Sequence, residues 1–313
     1  MIPPISRYVI GALLLLLVPA VSGAQELRVT LLGTGTPPPE IERFGPGTLV
    51  EAGAEKLLFD AGRGVGQRLS QLKMSPSELQ ALFLTHLHAD HTVGIPDLLL
   101  VRGLSRSSER SAPFRVFGPE GTDDMMVNLR KAYRVDGRVA AAADATSADN
   151  ILEGVVYERN GVKVRAFNVD HGAVSPIPAF GYRIDYGGRS VVISGDTRPS
   201  ENLVRFAKGA DVLIHEVLAL PAVLKQSDEA RRIMSSHTSP EDAGRIFDRV
   251  KPKLAVYTHV GLLAGPGAVA PLAADLFPRT RSTYGGRLEI GEDLMTIVIG
   301  DRVDVHPFTI PVR

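Results

Sequence analysis

Short apolar runs bounded by glycine, proline and polar residues recur along the chain from residue 26, and they predict β-strands. These runs lie at residues 26–32, 48–51, 56–59, 82–85, 114–117, 155–158, 162–167, 180–186, 190–194, 212–215, 253–259, 287–290, 295–299 and 303–307. Helices are predicted at residues 95–104, 121–133, 202–208 and 240–250. Residues 137–150 are rich in alanine and other small residues, and we expect a mobile surface loop there.

The order of these elements indicates the fold class. Meandering strands followed by alternating strands and helices occur twice along the chain, which favours mixed sheets that pack on one another with helices outside. We therefore expect an α/β fold, an αββα sandwich of two mixed β-sheets flanked by helices. The chain has no fixed-period repeat and no linker rich in proline, glycine or serine, so residues 25–313 are expected to form one domain.

The N-terminal segment has the features of a secretion signal. Arg7 precedes an apolar run of 12 residues at 9–20, and small residues ending in Ala24 follow it. A membrane span needs about 20 residues, so this run is short for an anchor. We expect residues 1–24 to be cleaved, leaving a periplasmic or secreted chain that starts at Gln25 and has no membrane span; an uncleaved anchor is the alternative.

Composition narrows the chemistry. The chain contains no cysteine, so it forms no disulfide and offers no thiolate as a nucleophile or metal ligand. Any metal ion must be held by His, Asp and Glu, a donor set that suits zinc and harder ions better than copper(I). Lys and Arg total 35, and Asp and Glu also total 35, so no basic excess indicates a polyanionic partner.

The densest cluster of reactive side chains directly follows the predicted strand at 82–85. His86, His88, Asp90 and His91 fall within six residues, and such crowding is costly unless a cation shares their lone pairs. In an extended strand end, His86 and His88 point to the same side. Seven of the eight histidines lie at predicted strand ends or helix starts, which is where such folds build sites. The sequence therefore predicts a metal site.

This cluster and a series of later motifs resemble the metallo-β-lactamase superfamily, and within it the branch shared by ribonuclease Z and the bacterial arylsulfatase-like enzymes. The resemblance extends from about Leu27 to His259. Its motifs, in order, are His86-x-His88-x-Asp90-His91, Asp170-His171, Ser194-Gly195-Asp196-Thr197, His215-Glu216, Ser236-His237-Thr238 and Tyr257-Thr258-His259.

The resemblance implies a dinuclear metal centre, with zinc as the first choice and manganese or iron as alternatives. The first ion would be held by His86, His88 and His171, and the second by Asp90, His91 and His259, with Asp196 bridging the two. Two such ions, about 3.5–4 Å apart, activate a shared water as hydroxide for attack on the ester.

The resemblance also implies catalytic roles for Asp90, His237 and Glu216. His237 would assist the leaving group, with Glu216 supporting it; the alternative is that His237 only caps a helix or packs. His215 and His306 are expected to be structural.

Several other residues are weaker candidates. Asp60 and Thr85 are expected to orient a ligating histidine. Arg43, Tyr182 and Tyr257 are candidates for substrate contact.

The substrate is less constrained, because one scaffold hydrolyses many esters in this superfamily. The element around His237 favours the phosphodiesterase and sulfatase side. Only 24 residues separate His171 from Asp196, which leaves no room for the arm that ribonuclease Z inserts there.

Together with the signal segment and the neutral charge, this spacing predicts an arylsulfatase-like hydrolase of a small sulfate or phosphate ester. Its partner would be a small-molecule ester and not a nucleic acid, and analogy with ribonuclease Z suggests a homodimer. The alternatives are a ribonuclease Z-type phosphodiesterase or endoribonuclease and, less favoured, a non-catalytic metal-binding protein.

Overall fold

The structure, a computed structural model, describes residues 26–104, 114–172, 178–221, 227–264 and 269–309. The predicted signal segment at 1–24 lies outside these residues. None of the helices in the described ranges combines the length and the apolar character needed to cross a membrane.

The strands follow the predicted apolar runs closely. They are β1 (Leu27–Gly33), β2 (Gly47–Ala52), β3 (Glu55–Phe59), β4 (Ala81–Phe83), β5 (Phe114–Gly118), β6 (Thr146–Asn150), β7 (Gly154–Arg159), β8 (Val162–Val169), β9 (Ala179–Tyr186), β10 (Arg189–Ile193), β11 (Val212–Ala219), β12 (Leu254–Leu262), β13 (Leu288–Ile290), β14 (Thr296–Ile299) and β15 (Val303–His306).

The helices include four that the sequence predicts and several short ones that it does not. They are α1 (Val65–Gln71), α2 (Ala89–Thr92), α3 (Ile95–Leu104), α4 (Thr122–Ala132), α5 (Gly137–Asp144), α6 (Glu201–Ala207), α7 (Asp228–Met234), α8 (Pro240–Val250) and α9 (Leu276–Arg281), with 3-10 turns at Pro76–Glu78 and Ala273–Asp275.

The strands form two mixed sheets. The first has the order β15-β14-β1-β2-β3-β4-β5-β6, and the second has the order β13-β12-β11-β10-β9-β8-β7. Consecutive strands joined by short turns pair antiparallel, whereas the strands joined through helices pair parallel, as in β3-β4-β5 and β10-β11-β12. Parallel neighbours end at the same edge of a sheet, so the loops that follow them come together.

The main core lies between the two sheets. Phe83 stacks on Phe59 and Phe117 with ring centroids 4.9 and 5.0 Å apart, and Tyr182 packs on this row from the opposite sheet. Residues of α1, α3 and α5 cover the outer face of the first sheet, and residues of α6, α8 and α9 cover the outer face of the second. The predicted αββα sandwich is confirmed.

The expected loop at residues 137–150 is wrong. This segment forms α5 and the edge strand β6, which pairs parallel with β5. Asp136 caps α5 by accepting a hydrogen bond from the amide of Arg138. Val139 and Ala143, one helical turn apart, are buried in the outer core. Small residues permit this helix to pack closely, and such packing is not visible in composition alone.

Candidate metal centre

The motif residues converge at the edge where β4, β8, β10, β11 and β12 meet. His86 follows β4, His171 follows β8 and Asp196 follows β10, while His259 lies within β12. His88 is the N-cap of α2, which begins at Ala89 and carries Asp90 and His91 in its short span. The chain therefore delivers these side chains from several strand ends to one place.

The first predicted ligand group is assembled. His86 Nε2 lies 3.0 Å from His88 Nδ1, and His171 Nε2 lies 3.3 Å from the same His88 nitrogen. Three ring nitrogens at these distances bring lone pairs towards each other unless a proton or a cation is shared. The three side chains form a group able to hold a metal ion.

The second group is assembled beside it. Asp90 Oδ2 lies 3.4 Å from His91 Nε2 and 3.3 Å from His259 Nε2. His91 and His259 are buried, and Asp90 is largely so. These three residues form another group able to hold a metal ion.

Asp196 lies between the two groups. Its Oδ2 atom is 3.5 Å from His91 Nε2 and 3.4 Å from His259 Nε2 on one side. On the other side the same oxygen is 3.9 Å from His86 Nε2 and 3.9 Å from His171 Nε2. A single carboxylate oxygen is therefore in reach of both groups.

Contacts on the outer side of the rings fix their orientation. His91 Nδ1 lies 2.8 Å from Asp60 Oδ2, and Thr85 donates its amide and its hydroxyl to the same carboxylate. His86 Nδ1 lies 3.0 Å from Thr85 Oγ1, and His171 Nδ1 lies 3.0 Å from the carbonyl oxygen of Ser236. Such contacts leave the opposite ring nitrogen free to face the centre, as predicted for Asp60 and Thr85.

His259 reaches the centre through an irregular backbone. The pairing of β11 with β12 shifts by one residue after Glu216 and Thr258, so His259 is the additional residue of a β-bulge. Its φ of 45° is in the left-handed region, which is uncommon for a residue other than glycine. Asp60 has a similar φ of 59°, so two positions of the site have backbone conformations that are unfavourable in isolation.

Burial and charge act in opposite directions at the centre. Burial, followed by the neighbouring His91, lowers the pKa of His86 well below its ordinary value. Burial would raise the pKa of Asp196, but His259 and His91 outweigh it and hold that pKa well below the usual range. At neutral pH the structure therefore presents a neutral His86 and an ionised Asp196, the forms that bind a cation.

His237 and Glu216 form a pair at the mouth of this centre. His237 Nδ1 lies 3.0 Å from Glu216 Oε1, and the same oxygen accepts hydrogen bonds from the amides of Thr197 and Thr238. The side chain of Glu216 is 1% exposed and that of His237 is 16% exposed. Burial opposes protonation of His237, but Glu216 outweighs it and raises the pKa of His237 to about 9.

The local sequence explains why His237 is held in this place. Ser239 accepts a hydrogen bond from the amide of Asp242 as the N-cap of α8, and Pro240 occupies the first turn. Thr238 donates its hydroxyl to the carbonyl oxygen of Thr197 at 2.6 Å. The chain directly after the histidine is therefore fixed by the start of α8 and by the loop that follows β10.

The remaining candidates lie elsewhere. His215 Nδ1 is 2.7 Å from the carbonyl oxygen of Glu216, and its ring packs on Phe247 in the outer core, so it is structural as predicted. Tyr182 and Tyr257 are fully buried, with hydroxyls bonded to Leu84 and Thr280 respectively.

The guanidinium of Arg43 is also engaged within the protein, since it donates to Thr34 and to the carbonyl oxygen of Gly291. The prediction that Tyr182 and Tyr257 contact the substrate is therefore wrong, whereas substrate contact by the partly exposed Arg43 stays a prediction. Sequence position gave no sign that their polar atoms are used within the fold.

Comparison with known proteins places this geometry in context. Residues 55–260 match the model of the Beta-lactamase superfamily domain. The ribonuclease Z of Mycobacterium bovis (strain BCG / Pasteur 1173P2) is 36% identical over 289 residues, covering 90% of this chain and 99% of that protein. The ribonuclease Z of Mycolicibacterium gilvum is 36% identical over 297 residues, covering 90% and 97%.

Solved structures share the fold at lower identity. The metallo-beta-lactamase fold protein YhfI from Bacillus subtilis superposes with a TM-score of 0.70 at 19% identity, covering 88% of this chain and all of that one. Human tRNase Z, short form, superposes with a TM-score of 0.64 at 23% identity, covering 91% and 100%.

These matches contradict the expected arylsulfatase-like function, the small-molecule ester as partner and the exclusion of nucleic acid. Proteins named ribonuclease Z are matched over 97–99% of their own length, so the short spacing between His171 and Asp196 does not exclude that activity. The neutral total charge does not exclude it either, because a whole-chain sum omits the positive charge of bound metal ions at the site. The ribonuclease Z alternative fits better.

Proposed function

Because the chain belongs to the beta-lactamase superfamily, and within it to the ribonuclease Z family, we propose that it is a metal-dependent endoribonuclease that hydrolyses a phosphodiester bond of RNA. The observation that carries this proposal is the convergence of two ligand groups on Asp196, beside the pair of His237 and Glu216. One structural neighbour is a tRNase Z, so transfer RNA is the first RNA to test.

The side chains of the centre fit divalent metal ions. The buried Nε2 atom of His91 makes no normal hydrogen bond but faces the carboxylates of Asp90 and Asp196 at 3.4 and 3.5 Å, and a divalent cation between these three groups would satisfy all of them. All the available donors are imidazole nitrogens and carboxylate oxygens, which zinc, manganese and iron accept.

We assign one ion to each group. His86, His88 and His171 would hold the first, Asp90, His91 and His259 would hold the second, and Asp196 would contact both. When bound, two divalent cations would lower the pKa of a water molecule and offset the negative charge of the phosphoryl group.

His237 is the proton donor in this proposal. Its Nδ1 atom is engaged by Glu216, so Nε2 is left to face the leaving oxygen. Hydrolysis adds the oxygen of water to phosphorus and breaks the bond to the leaving oxygen, which takes a proton from His237. The proton released by the water restores His237, so no other reactant is consumed.

The proposal is tested by assaying the purified chain, supplied with zinc or manganese, on an unprocessed transfer RNA. Bis-p-nitrophenyl phosphate and p-nitrophenyl sulfate serve as small-molecule comparisons. We expect metal-dependent cleavage of the RNA and of the phosphodiester, with no turnover of the sulfate. Turnover of the sulfate alone would contradict the proposal.

We also propose that residues 25–313 form a single domain that acts outside the cytoplasm after removal of residues 1–24. The charged head, apolar run and small residues before Gln25 support this. N-terminal sequencing of protein recovered from the producing cells should give Gln25 as the first residue, in the periplasmic or secreted fraction. Recovery of the chain from the cytoplasm with its first 24 residues intact would rule out export, without affecting the proposed RNA cleavage.

A further inference from the structure

A buried carboxylate outside the metal centre holds together the loop that borders it. Asp293 lies in the connection between β13 and β14, and its side chain is 4% exposed. Oδ1 accepts hydrogen bonds from the amide and the hydroxyl of Thr34, each at 2.9 Å. Oδ2 accepts from the amide of Phe44 at 2.8 Å, and from Arg68 Nε at 3.1 Å and Nη2 at 2.8 Å.

Three of these five bonds tie both ends of one loop to a single carboxylate, and the other two come from Arg68 of α1. The loop, called here the 34–45 loop, begins after β1 and returns before β2. Its ends also bond to each other, because the amide of Gly35 donates to the carbonyl of Phe44 at 2.8 Å. Arg68 lies over the ring of Phe44, with its guanidinium carbon 3.9 Å from the ring centroid. Removal of the carboxylate would therefore release both ends together.

The start of the 34–45 loop contacts the strand that carries His259. The carbonyl oxygen of Thr34 accepts the amide of Val260 at 2.8 Å. Val260 directly follows His259, whose backbone has the positive φ described above. This bond from the loop therefore fixes the strand immediately after the bulge.

The end of the loop contacts the backbone behind Asp90 and His91. Gly45 donates its amide to the carbonyl of Arg63, and Gly62 donates to the carbonyl of Pro46. A Cβ atom at Gly62 would lie 2.6 Å from the carbonyl oxygen of Asp90, so the chains are in direct backbone contact. The preceding residue, Ala61, donates its amide to the carbonyl of His91 at 2.8 Å.

The first ligand group is held by residues outside the 34–45 loop. His86 is oriented by Thr85, and His171 by the carbonyl of Ser236. Neither contact involves the 34–45 loop. A change at Asp293 would thus reach Asp90, His91 and His259 before it reached the first group.

We propose that Asp293 is a positioning residue for the second metal group, acting through the 34–45 loop on Asp90, His91 and His259. This inference rests on the proposed metal centre. An asparagine at 293 would keep the shape of the side chain but would present an amide donor to one of the two sets of donors that the carboxylate now accepts. The loop would lose bonds on at least one side.

The test compares Asp293→Asn with the unchanged chain by titrating zinc ion into metal-free protein and following the heat of binding. We expect two binding events in the unchanged chain. In Asp293→Asn, zinc binding to the second group should weaken by about 10-fold or more, which is the usual effect of removing a group that orients ligands. The first event should be unchanged. Equal losses in both events, or no loss in either, would overturn the proposal.

Asp211→Asn is the matched control. Asp211 is also a buried carboxylate, and it accepts the amide of Ser190 and pairs with Lys253 at 2.7 Å each. It lies just before β11 begins, whereas Glu216 lies in the second half of that strand. Asp211→Asn should lower thermal stability without changing either zinc affinity. A selective loss of the second event in this control would overturn the proposal too.

Hydrogen exchange provides a readout that does not depend on metal. The amides of Thr34 and Phe44 donate directly to Asp293, so they should exchange faster in metal-free Asp293→Asn, and those of Val260 and Ala61 should follow. If the unchanged chain binds fewer than two zinc ions, the dinuclear part of the proposed function fails, and the exchange rates still decide whether Asp293 fixes the loop. Unchanged exchange at Thr34 and Phe44 would refute that role.

A milder variant covers the case in which Asp293→Asn does not fold. Thr34→Val removes one of the five bonds, together with the bond that Arg43 donates to the Thr34 hydroxyl, and keeps the side-chain shape. It should weaken the second zinc event in the same direction by a smaller factor. An unchanged second event in Thr34→Val, with Asp293→Asn unfolded, would count against the proposal.

Discussion

Replacing His88 with alanine is expected to reduce RNA cleavage by about 10³-fold or more while leaving the fold intact. His88 supplies the nitrogen nearest to both His86 and His171, at 3.0 and 3.3 Å. Loss of a metal ion removes several kcal/mol of transition-state stabilisation, and each 1.4 kcal/mol or so is worth a factor of about ten. His88 is only partly buried, so the fold should tolerate the change.

The measurement combines metal content with turnover of transfer RNA and of bis-p-nitrophenyl phosphate. His306→Ala is the control, because His306 is an exposed histidine at the end of β15. It should keep full metal content and activity. Undiminished turnover by His88→Ala with normal metal content would refute the assignment of the first ion.

Replacing His237 with alanine is expected to have the second-largest effect, and the loss should depend on the leaving group. A positioned general acid contributes about 10²–10⁴-fold, and the ribose oxygen that leaves RNA needs a proton. Nitrophenolate is a stable anion and needs none, so bis-p-nitrophenyl phosphate should lose far less. Equal losses on the two substrates would remove His237 from the role of proton donor.

The same pair predicts how activity depends on pH. Glu216 raises the pKa of His237 to about 9, so His237 carries its proton at neutral pH, and cleavage of RNA should fall as the pH rises through about 9. Glu216→Gln removes the negative charge that favours the proton, so the fall should begin at lower pH. If the pH profile of Glu216→Gln is identical to that of the unchanged chain, the fall in activity at high pH belongs to another titrating group.

The stability of the fold should also decrease as the pH rises. The folded pKa of His237 is above the ordinary value of 6.5, so the contribution of the pair is fully present below about 6.5 and is lost as the pH rises through about 9.

The sequence was informative where the chemistry is local. His86, His88, Asp90 and His91 lie within six residues, and the structure brings them together with His171, Asp196 and His259 as the motif order implied. The two mixed sheets were predictable for a similar reason, since each apolar run reports its own burial.

The sequence was uninformative where the contact partners are far apart. Asp293 receives its bonds from Thr34 and Phe44, 259 and 249 positions away, and no local pattern marks such a pair. The loop predicted at residues 137–150 is wrong for another reason, because an alanine-rich composition suits both an exposed loop and a closely packed helix.

The predicted substrate is wrong because it depends on the total charge and on the spacing between His171 and Asp196, and neither property reports which ester is cleaved. Ligands such as His86 and Asp196 serve the same ions whichever ester is cleaved, so they carry no information about the ester. Similarity to ribonuclease Z over 90% of the chain is stronger evidence about function than the total charge or the spacing before Asp196.

The bulge at His259 has a consequence for how this protein can change in evolution. Deleting one residue of β12 beside His259 would restore regular pairing of β12 with β11, and shifting a strand by one residue turns its side chains to the opposite face. The left-handed conformation of His259 costs about 1–2 kcal/mol. A regular strand would avoid this cost, but it would turn His259 away from the metal centre. Insertions and deletions should therefore be excluded from this strand.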